Sequence, residues 1–134
     1  MATTMQLIAK QTVGSGGAAS VTFSNIPQTF TDLKVIASMR NDVTGSGYVD
    51  VGIQFNGTTS GYSYKTLYGN GSSAGSFGGS SQDKIYDIWT NTNQNTTSTF
   101  TNAEIYIPNY TSSNQKSVSM DGVSENNATG AYAT

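Results

Sequence analysis

The segment Val49-Asp-Val-Gly-Ile-Gln-Phe-Asn-Gly57 carries the strongest signal for the fold. Its large apolar side chains occupy every second position up to Phe55, and a period of two residues predicts a half-buried β-strand. The pair Asn56-Gly57 then predicts a tight hairpin, because both central residues of a type I′ turn need a positive φ. We therefore expect residues 62–68 to form the return strand of this hairpin.

The rest of the chain repeats this pattern in short pieces separated by Gly, Asn, Ser and Pro. Alternating apolar residues predict further strands over 5–13, 21–24, 33–39, 85–89, 103–107 and 118–120, and the beginning of another over 128–134. The Gly- and Ser-rich segment 69–81, with Phe77 as its one large apolar residue, is predicted to be a long loop. Seven or eight short strands are typical of a single antiparallel β-sandwich domain, jelly-roll-like, over residues 1–134.

The composition supports an all-β fold with a thin core. Thr, Ser, Gly and Asn make up almost half of the 134 residues, whereas Leu, Val, Ile and Phe together make up less than a fifth. Eight Tyr residues and the many β-branched residues favour strands over helices. Because a lone domain of this composition has little apolar surface to bury, we expect neighbouring subunits to contribute to its stability.

Several kinds of chemistry are excluded by residues that the chain lacks. It contains neither His nor Cys, which rules out His-based catalytic triads, thiolate catalysis and Cys/His zinc sites. Its eight carboxylates are scattered, and its six basic residues form no patch that would bind nucleic acid. No apolar run approaches the roughly 18 residues that span a membrane. We therefore expect no enzymatic activity, no cofactor, and neither nucleic acid nor a membrane as a partner.

The polar tract 91–99 is the nearest approach to a metal site. Asn91, Asn93 and Asn95 have the spacing of the first ligands of a calcium loop, but the loop's Asp residues, its central Gly and its final Glu are missing. We therefore predict no metal here and interpret the tract as a solvated loop.

Aromatic side chains are the remaining candidates for a binding surface. Subunit interfaces collect such amphipathic rings, although cross-strand Tyr pairs also stabilise a sheet without any ligand. By residue type alone, we expect contacts between subunits at Phe77, Trp89, Tyr106 and Tyr110. The alternative is a platform on which rings stack against a sugar, and for it we select Tyr62, Tyr64 and Trp89.

Two longer segments resemble a known family. Residues 12–33 read TVGSGGAASVTFSNIPQTFTDL, and residues 104–117 read EIYIPNYTSSNQKS. Both are similar to small β-rich proteins that tailed bacteriophages encode, many of them from aquatic hosts, and that are regarded as structural components of the virion. The likeness covers most of the chain, and neither segment has a known catalytic role in the family. Family members continue with further strands, so the resemblance implies that the family's C-terminal strands are missing here.

The resemblance implies a virion location and other virion proteins as partners. Our first hypothesis is a non-enzymatic capsid decoration or cement protein on the capsid exterior, bound to the major capsid protein and assembled as a small homo-oligomer, with a trimer favoured. The second is a tail-fibre or tail-tip module that recognises a host surface glycan through the segments 69–81 and 91–99. We further expect an unpaired sheet edge near residues 118–134, covered by a neighbouring subunit or by the capsid shell.

Overall fold

The computed structural model describes residues 5–125 and 131–134. Over these ranges the chain forms eight β-strands and no helix, which confirms the all-β prediction. The strands are β1 (Leu33–Met39), β2 (Tyr48–Ile53), β3 (Tyr62–Gly69), β4 (Ala74–Gln82), β5 (Ile85–Asn91), β6 (Thr101–Ile107), β7 (Ser119–Glu125) and β8 (Ala131–Ala133).

The strands form two sheets in which every pair is antiparallel. The larger sheet has the order β1-β6-β7-β8-β3-β4, and the smaller sheet consists of β2 and β5. Strand β5 lies against the larger sheet, where it packs on β7, β3 and β6. The buried hydrophobic core of the described residues is small and consists of Ile88 from β5 with Ala103, Ile105 and Ile107 from β6.

Five predicted strands are confirmed with boundaries within two residues of the predicted ones. The predicted segments 33–39, 49–55, 62–68, 85–89 and 103–107 correspond to β1, β2, β3, β5 and β6. In β1 the odd-numbered residues from Leu33 to Met39 are half-buried, whereas the even-numbered ones are exposed. Strict alternation identifies β1 and β6, because each has one face on the core and one more exposed face, whereas no residue of β5 is exposed.

The predicted hairpin at Asn56-Gly57 is wrong, although the turn itself is present. Both residues have positive φ, 52° and 71°, as a type I′ turn requires. However, β2 pairs with β5, and β3 pairs with β4 and β8. The backbone N–H of Phe55 donates to the hydroxyl of Tyr62 at 2.8 Å. The Tyr62 hydroxyl thus binds a backbone N–H just after β2. In a hairpin, this N–H would be available to pair with the return strand.

The predicted loop 69–81 is also wrong, because most of it forms β4. Two of its glycines lie opposite tyrosines of β3, in the pairs Tyr68–Gly75 and Tyr64–Gly79. A Cβ atom on Gly75 would lie 2.6 Å from the Tyr68 hydroxyl, and one on Gly79 would lie 2.9 Å from the Tyr64 ring. The glycines are therefore strand residues that leave space for rings folded over them, an arrangement that stabilises otherwise weak glycine-rich strands.

The two strands predicted before residue 25 are absent. Residues 5–32 form no strand, and nearly all of them are exposed. The alternation in this region predicts a backbone that is able to form a strand, but a strand also needs a neighbour whose backbone groups are free to pair. In the described part of the chain, residues 5–32 pair with no strand.

Near the C-terminus, β7 and β8 lie inside the larger sheet and not at its edge. β7 pairs with β6 on one side and with β8 on the other, and β8 also pairs with β3 at Gly69. The outer strands of the sheet are β1 and β4. The expected unpaired edge is therefore confined to residues 119–121 of β7, which have no strand partner on the side of β3 among the described residues. Residues 128–130, the first part of the last predicted strand, lie outside the described residues.

Candidate interaction surfaces

Five aromatic side chains from three strands form one cluster, which we call the aromatic cluster: Tyr64, Tyr68, Phe77, Tyr86 and Trp89. The Phe77 and Trp89 rings are stacked, with centroids 5.6 Å apart and planes at 8°. Tyr68 lies 5.3 Å from Trp89, and Tyr64 contacts both Phe77 at 6.0 Å and Tyr86 at 6.3 Å. Each ring pair adds about 0.5–1.5 kcal/mol beyond its buried area. The cluster therefore joins β5 to the β3–β4 end of the larger sheet.

The structure brings together only some of the residues that the sequence singled out. Phe77, Trp89 and Tyr64 belong to the aromatic cluster. The ring of Tyr62 contacts that of Phe55, with centroids 6.5 Å apart, and Tyr62 lies two positions before Tyr64 on the same face of β3. Tyr106 and Tyr110 contact the segment that precedes β1, as described below. Of the three residues selected for the sugar platform, Tyr64 and Trp89 therefore belong to the aromatic cluster.

A small pocket of about 380 Å³ lies beside Trp89 and is lined by Ser46, Gly47, Tyr48, Asp50 and Trp89. Asp50 is the cross-strand neighbour of Trp89. Partial desolvation raises the pKa of Asp50, and a hydrogen bond with the Trp89 side chain opposes that rise. An aromatic ring next to a carboxylate and a hydroxyl offers both a stacking face and hydrogen-bond partners for a polar ligand.

Tyrosines of β6 and of the segment after it hold the chain just before β1. The Tyr106 hydroxyl donates to Asp32 Oδ2 at 2.8 Å, and the Asn109 N–H donates to Asp32 Oδ1 at 2.8 Å. The Tyr110 hydroxyl donates to the Pro27 carbonyl. The Asn109 and Tyr106 hydrogen bonds lower the pKa of Asp32, and the same bond to Asp32 raises the pKa of Tyr106. Residues 12–33 and residues 104–117 thus contact each other.

Upstream of this anchor lies a segment that we call the N-terminal arm, residues 5–24. The hydrogen bonds that it makes in the described structure are local, such as the one from Gly17 N–H to the Gly14 carbonyl. Its large apolar side chains are exposed, and Leu7 reaches 79%. They are Met5, Leu7, Ile8, Val13, Val21 and Phe23. Free backbone groups and exposed apolar side chains in one extended segment form a template for pairing with another chain.

The interpretation of tract 91–99 as a solvated loop is wrong, because four of its nine polar side chains are buried. Asn91 and Thr92 are 0% exposed, and Asn95 and Thr99 are also buried. The reason is Arg40, whose guanidinium donates to the carbonyls of Asn95, Thr96 and Thr99 at 2.8–2.9 Å. A single cation satisfies several carbonyls at once, which lets the tract fold against the body of the protein.

A carboxylate that the sequence did not single out lies buried at β5. Asp87 is 9% exposed and accepts a hydrogen bond from the Thr66 hydroxyl of β3. Desolvation raises its pKa; the Thr66 hydrogen bond lowers it, and the negative charges of Asp121 and Asp50 raise it further. No sequence motif surrounds Asp87, so only the packing of β3 on β5 reveals it.

We predict that Asp87→Asn stabilises the protein at neutral pH. A carboxyl whose pKa is raised by folding makes the native state less stable as the pH rises from its unfolded pKa through its folded pKa. The amide keeps the shape and the acceptor for Thr66 but carries no charge. Urea denaturation from pH 3 to pH 7 should show a gain in stability that grows with pH. The exposed control Asp42→Asn should show no such trend, and an equal gain at pH 3 and pH 7 would contradict the prediction.

Within residues 5–125 and 131–134, no group of three or more His, Cys, Asp or Glu side chains could hold a metal ion. The same residues contain no helix long and apolar enough to cross a membrane. Comparisons of the chain with protein-family models, with curated proteins and with solved structures found no match.

Proposed function

We propose that this chain is a non-enzymatic structural protein of a tailed-bacteriophage virion that decorates or cements the capsid exterior. In this proposal it folds as a jelly-roll-like β-sandwich whose smaller layer is β2–β5. It contacts the major capsid protein and assembles as a small homo-oligomer, with a trimer favoured. The virion part of the proposal rests on the resemblance of residues 12–33 and 104–117 to phage structural proteins.

The observation that carries the assembly part of the proposal is the N-terminal arm. It exposes six large apolar side chains, whereas the described core buries only four hydrophobic side chains. A protein that works alone gains little from such a segment, because exposed apolar patches promote aggregation unless a partner covers them. A particle protein has permanent neighbours that cover the patch.

The test of this proposal is the copy number and position of the chain in the intact particle. We expect electron cryomicroscopy to find its density on the capsid exterior, and quantitative mass spectrometry to give hundreds of copies per particle. A handful of copies at the tail would favour the second candidate below. Absence of the chain from purified particles would contradict both candidates.

The second candidate is a tail-fibre or tail-tip module that binds a host surface glycan. The observation in its favour is the pocket where Trp89 meets Asp50. We expect Trp89→Ala to abolish binding on a glycan array under this candidate. Phe100→Ala, which removes a half-exposed ring outside the aromatic cluster, should leave binding intact. No binding by the unmodified protein would remove this candidate.

A further inference from the structure

One face of the smaller sheet carries the side chains that line the small pocket beside Trp89. Asp50 and Trp89 are cross-strand neighbours, and residues directly opposite each other in an antiparallel pair lie on the same face. Tyr48 lies two positions before Asp50 on β2, so it is on that face as well. Ser46 and Gly47 complete this cavity of about 380 Å³, which we call the Trp89 pocket.

The indole of Trp89 is held in place by the protein itself. Its ring stacks on that of Phe77, with centroids 5.6 Å apart, and contacts the Tyr68 ring at 5.3 Å. Its side-chain N–H is hydrogen-bonded to Asp50. A ring that is already fixed offers contact area to a ligand without the entropic cost of ordering a side chain.

Two side-chain donors of the Trp89 pocket are already used within the protein. The Trp89 N–H bonds to Asp50, and the Ser46 hydroxyl donates to the Tyr48 carbonyl at 2.7 Å. The carboxylate of Asp50 retains lone pairs, because an ionised carboxylate accepts about four hydrogen bonds. The lone pairs of the Ser46 hydroxyl add a further acceptor. The ligand group that fits these acceptors best is therefore one that donates hydrogen bonds.

The charge of the Trp89 pocket further restricts the ligand. The residues that line it include Asp50 but no Lys or Arg, and Asp50 makes no ion pair within the described part of the chain. Asp50 is partly desolvated, and a desolvated charge without a counter-charge is unfavourable. An ammonium group supplies the counter-charge and three donors, and it is attracted to the faces of nearby aromatic rings. Acetylation of the amine removes its charge and two of its three donors.

We propose that the Trp89 pocket binds a sugar unit with a free amino group, whose ammonium donates to Asp50 while the sugar ring lies against Trp89. The cavity of about 380 Å³ falls within the range of small-molecule sites, about 300–1,000 Å³. It therefore has room for a whole sugar ring and not only for the end of a lysine side chain. The inference goes beyond the capsid proposal, and it rests on the second candidate function, whose glycan it specifies.

The first experiment compares two trisaccharides that differ only in their amines, by isothermal titration calorimetry with the full chain. One is a trisaccharide of glucosamine, and the other is the same trisaccharide with every amine acetylated. We expect the free amine to bind at least about 10-fold more tightly, which is the effect of one hydrogen bond to a charged group.

Asp50→Asn tests whether the ammonium binds at Asp50. The amide keeps the shape of the side chain and an acceptor for Trp89 but carries no charge, so the variant should bind the two trisaccharides within about 3-fold of each other. Asp42→Asn removes the same charge at an exposed position outside the pocket. It should keep the preference for the amine, and circular dichroism should give the same strand content for all three proteins.

The second experiment locates the bound ligand through Trp89, which is the one Trp in the sequence. Heteronuclear NMR therefore shows a single indole N–H resonance. Because this N–H is bonded to Asp50, the glucosamine trisaccharide should shift the resonance, and the shift should saturate with the affinity that calorimetry measures. Titration with the amide of Nα-acetyl-lysine tests whether the side chain of a partner protein fits instead. We expect this lysine derivative to bind at least about 10-fold more weakly than the trisaccharide.

Four results would overturn the inference. They are equal affinities for the two trisaccharides, a preference for the amine that persists in Asp50→Asn, an indole resonance that binding does not shift, and a lysine derivative that binds as tightly as the glucosamine trisaccharide. If the protein binds both trisaccharides equally, the inference fails but the second candidate function stands. If it binds neither, both fail. The capsid proposal keeps its own test, because these readouts need no virus particle.

Discussion

Replacement of Ile88 by Ala is expected to lower the free energy of unfolding by about 2–5 kcal/mol. Ile88 is 0% exposed and lies between the two sheets. A Cβ atom on Gly122 of β7 would lie 3.4 Å from Ile88 Cγ2, so the side chain touches the backbone of the facing strand. Truncation to Ala leaves a cavity at the centre of a core of only four buried hydrophobic residues, and its cost grows with the volume that the surrounding side chains leave unfilled.

Urea denaturation followed by Trp89 fluorescence measures this loss. The matched control is Ile36→Ala, which removes the same atoms from a side chain that is 73% exposed on β1. Its effect should stay within about 0.5 kcal/mol, as is usual for surface substitutions. Equal losses in the two variants would contradict the assignment of Ile88 to the centre of the core.

The strands that the sequence predicted well are those with one face on the core. In β1 and β6 every second side chain is half-buried or buried. The two-residue period of apolar residues in the sequence follows directly from this burial. The period does not record which strand pairs with which. For this reason the hairpin at Asn56-Gly57 and the loop over 69–81 were predicted wrongly, since both outcomes depend on contacts of Tyr62, Tyr64 and Tyr68 with distant residues.

The sequence predicted members of the candidate surfaces only from their residue types, and it did not predict which of these residues contact one another. Phe77 and Trp89 stand out in the sequence as large rings, but their stacking depends on the pairing of β4 with β3 and on the position of β5. Asp32 and Arg40 were missed because a lone charged residue in a polar chain carries no pattern. One signal was available, since Arg40 is the only arginine in the sequence, and arginine is the side chain best suited to bind several carbonyls.

The buried residues explain how a chain with so few aliphatic side chains packs two sheets together. Beside Ile88, the interior contains Thr90, Asn91, Thr101 and Ser124, all 0–1% exposed. The Thr101 and Ser124 hydroxyls lie 2.8 Å apart and both contact the Trp89 carbonyl. Thr101 Oγ1 also accepts from the Asn91 N–H at 2.9 Å. Hydrogen bonds between buried polar groups thus replace part of the missing apolar contact, and their geometry fixes β5 against β6 and β7.

Replacement of Arg40 by Met is expected to lower the free energy of unfolding by about 2–4 kcal/mol. Met keeps much of the length of the stem but removes the guanidinium donor from the carbonyls of Asn95 and Thr99, whereas the Thr96 carbonyl still accepts from the Thr99 N–H and hydroxyl. Each hydrogen bond from a charged group contributes about 1.5–3 kcal/mol, and a buried acceptor left unpaired costs about 1–3 kcal/mol. Part of this loss is recovered because water reaches the exposed carbonyl of Thr96.

Chemical denaturation measures the loss, and Lys34→Met is the matched control. Lys34 lies on β1, the strand that Arg40 directly follows, but its side chain is on the exposed face and makes one ion pair, with Glu104 at 2.6 Å. Exposed pairs of this kind contribute about 0–1 kcal/mol. Hydrogen exchange provides a second readout, because loss of the guanidinium should expose the Asn95 and Thr99 amides while leaving the β1–β6 ladder protected. If Arg40→Met costs no more than Lys34→Met, the tract 91–99 is held by its own Asn and Thr side chains, and Arg40 only covers it.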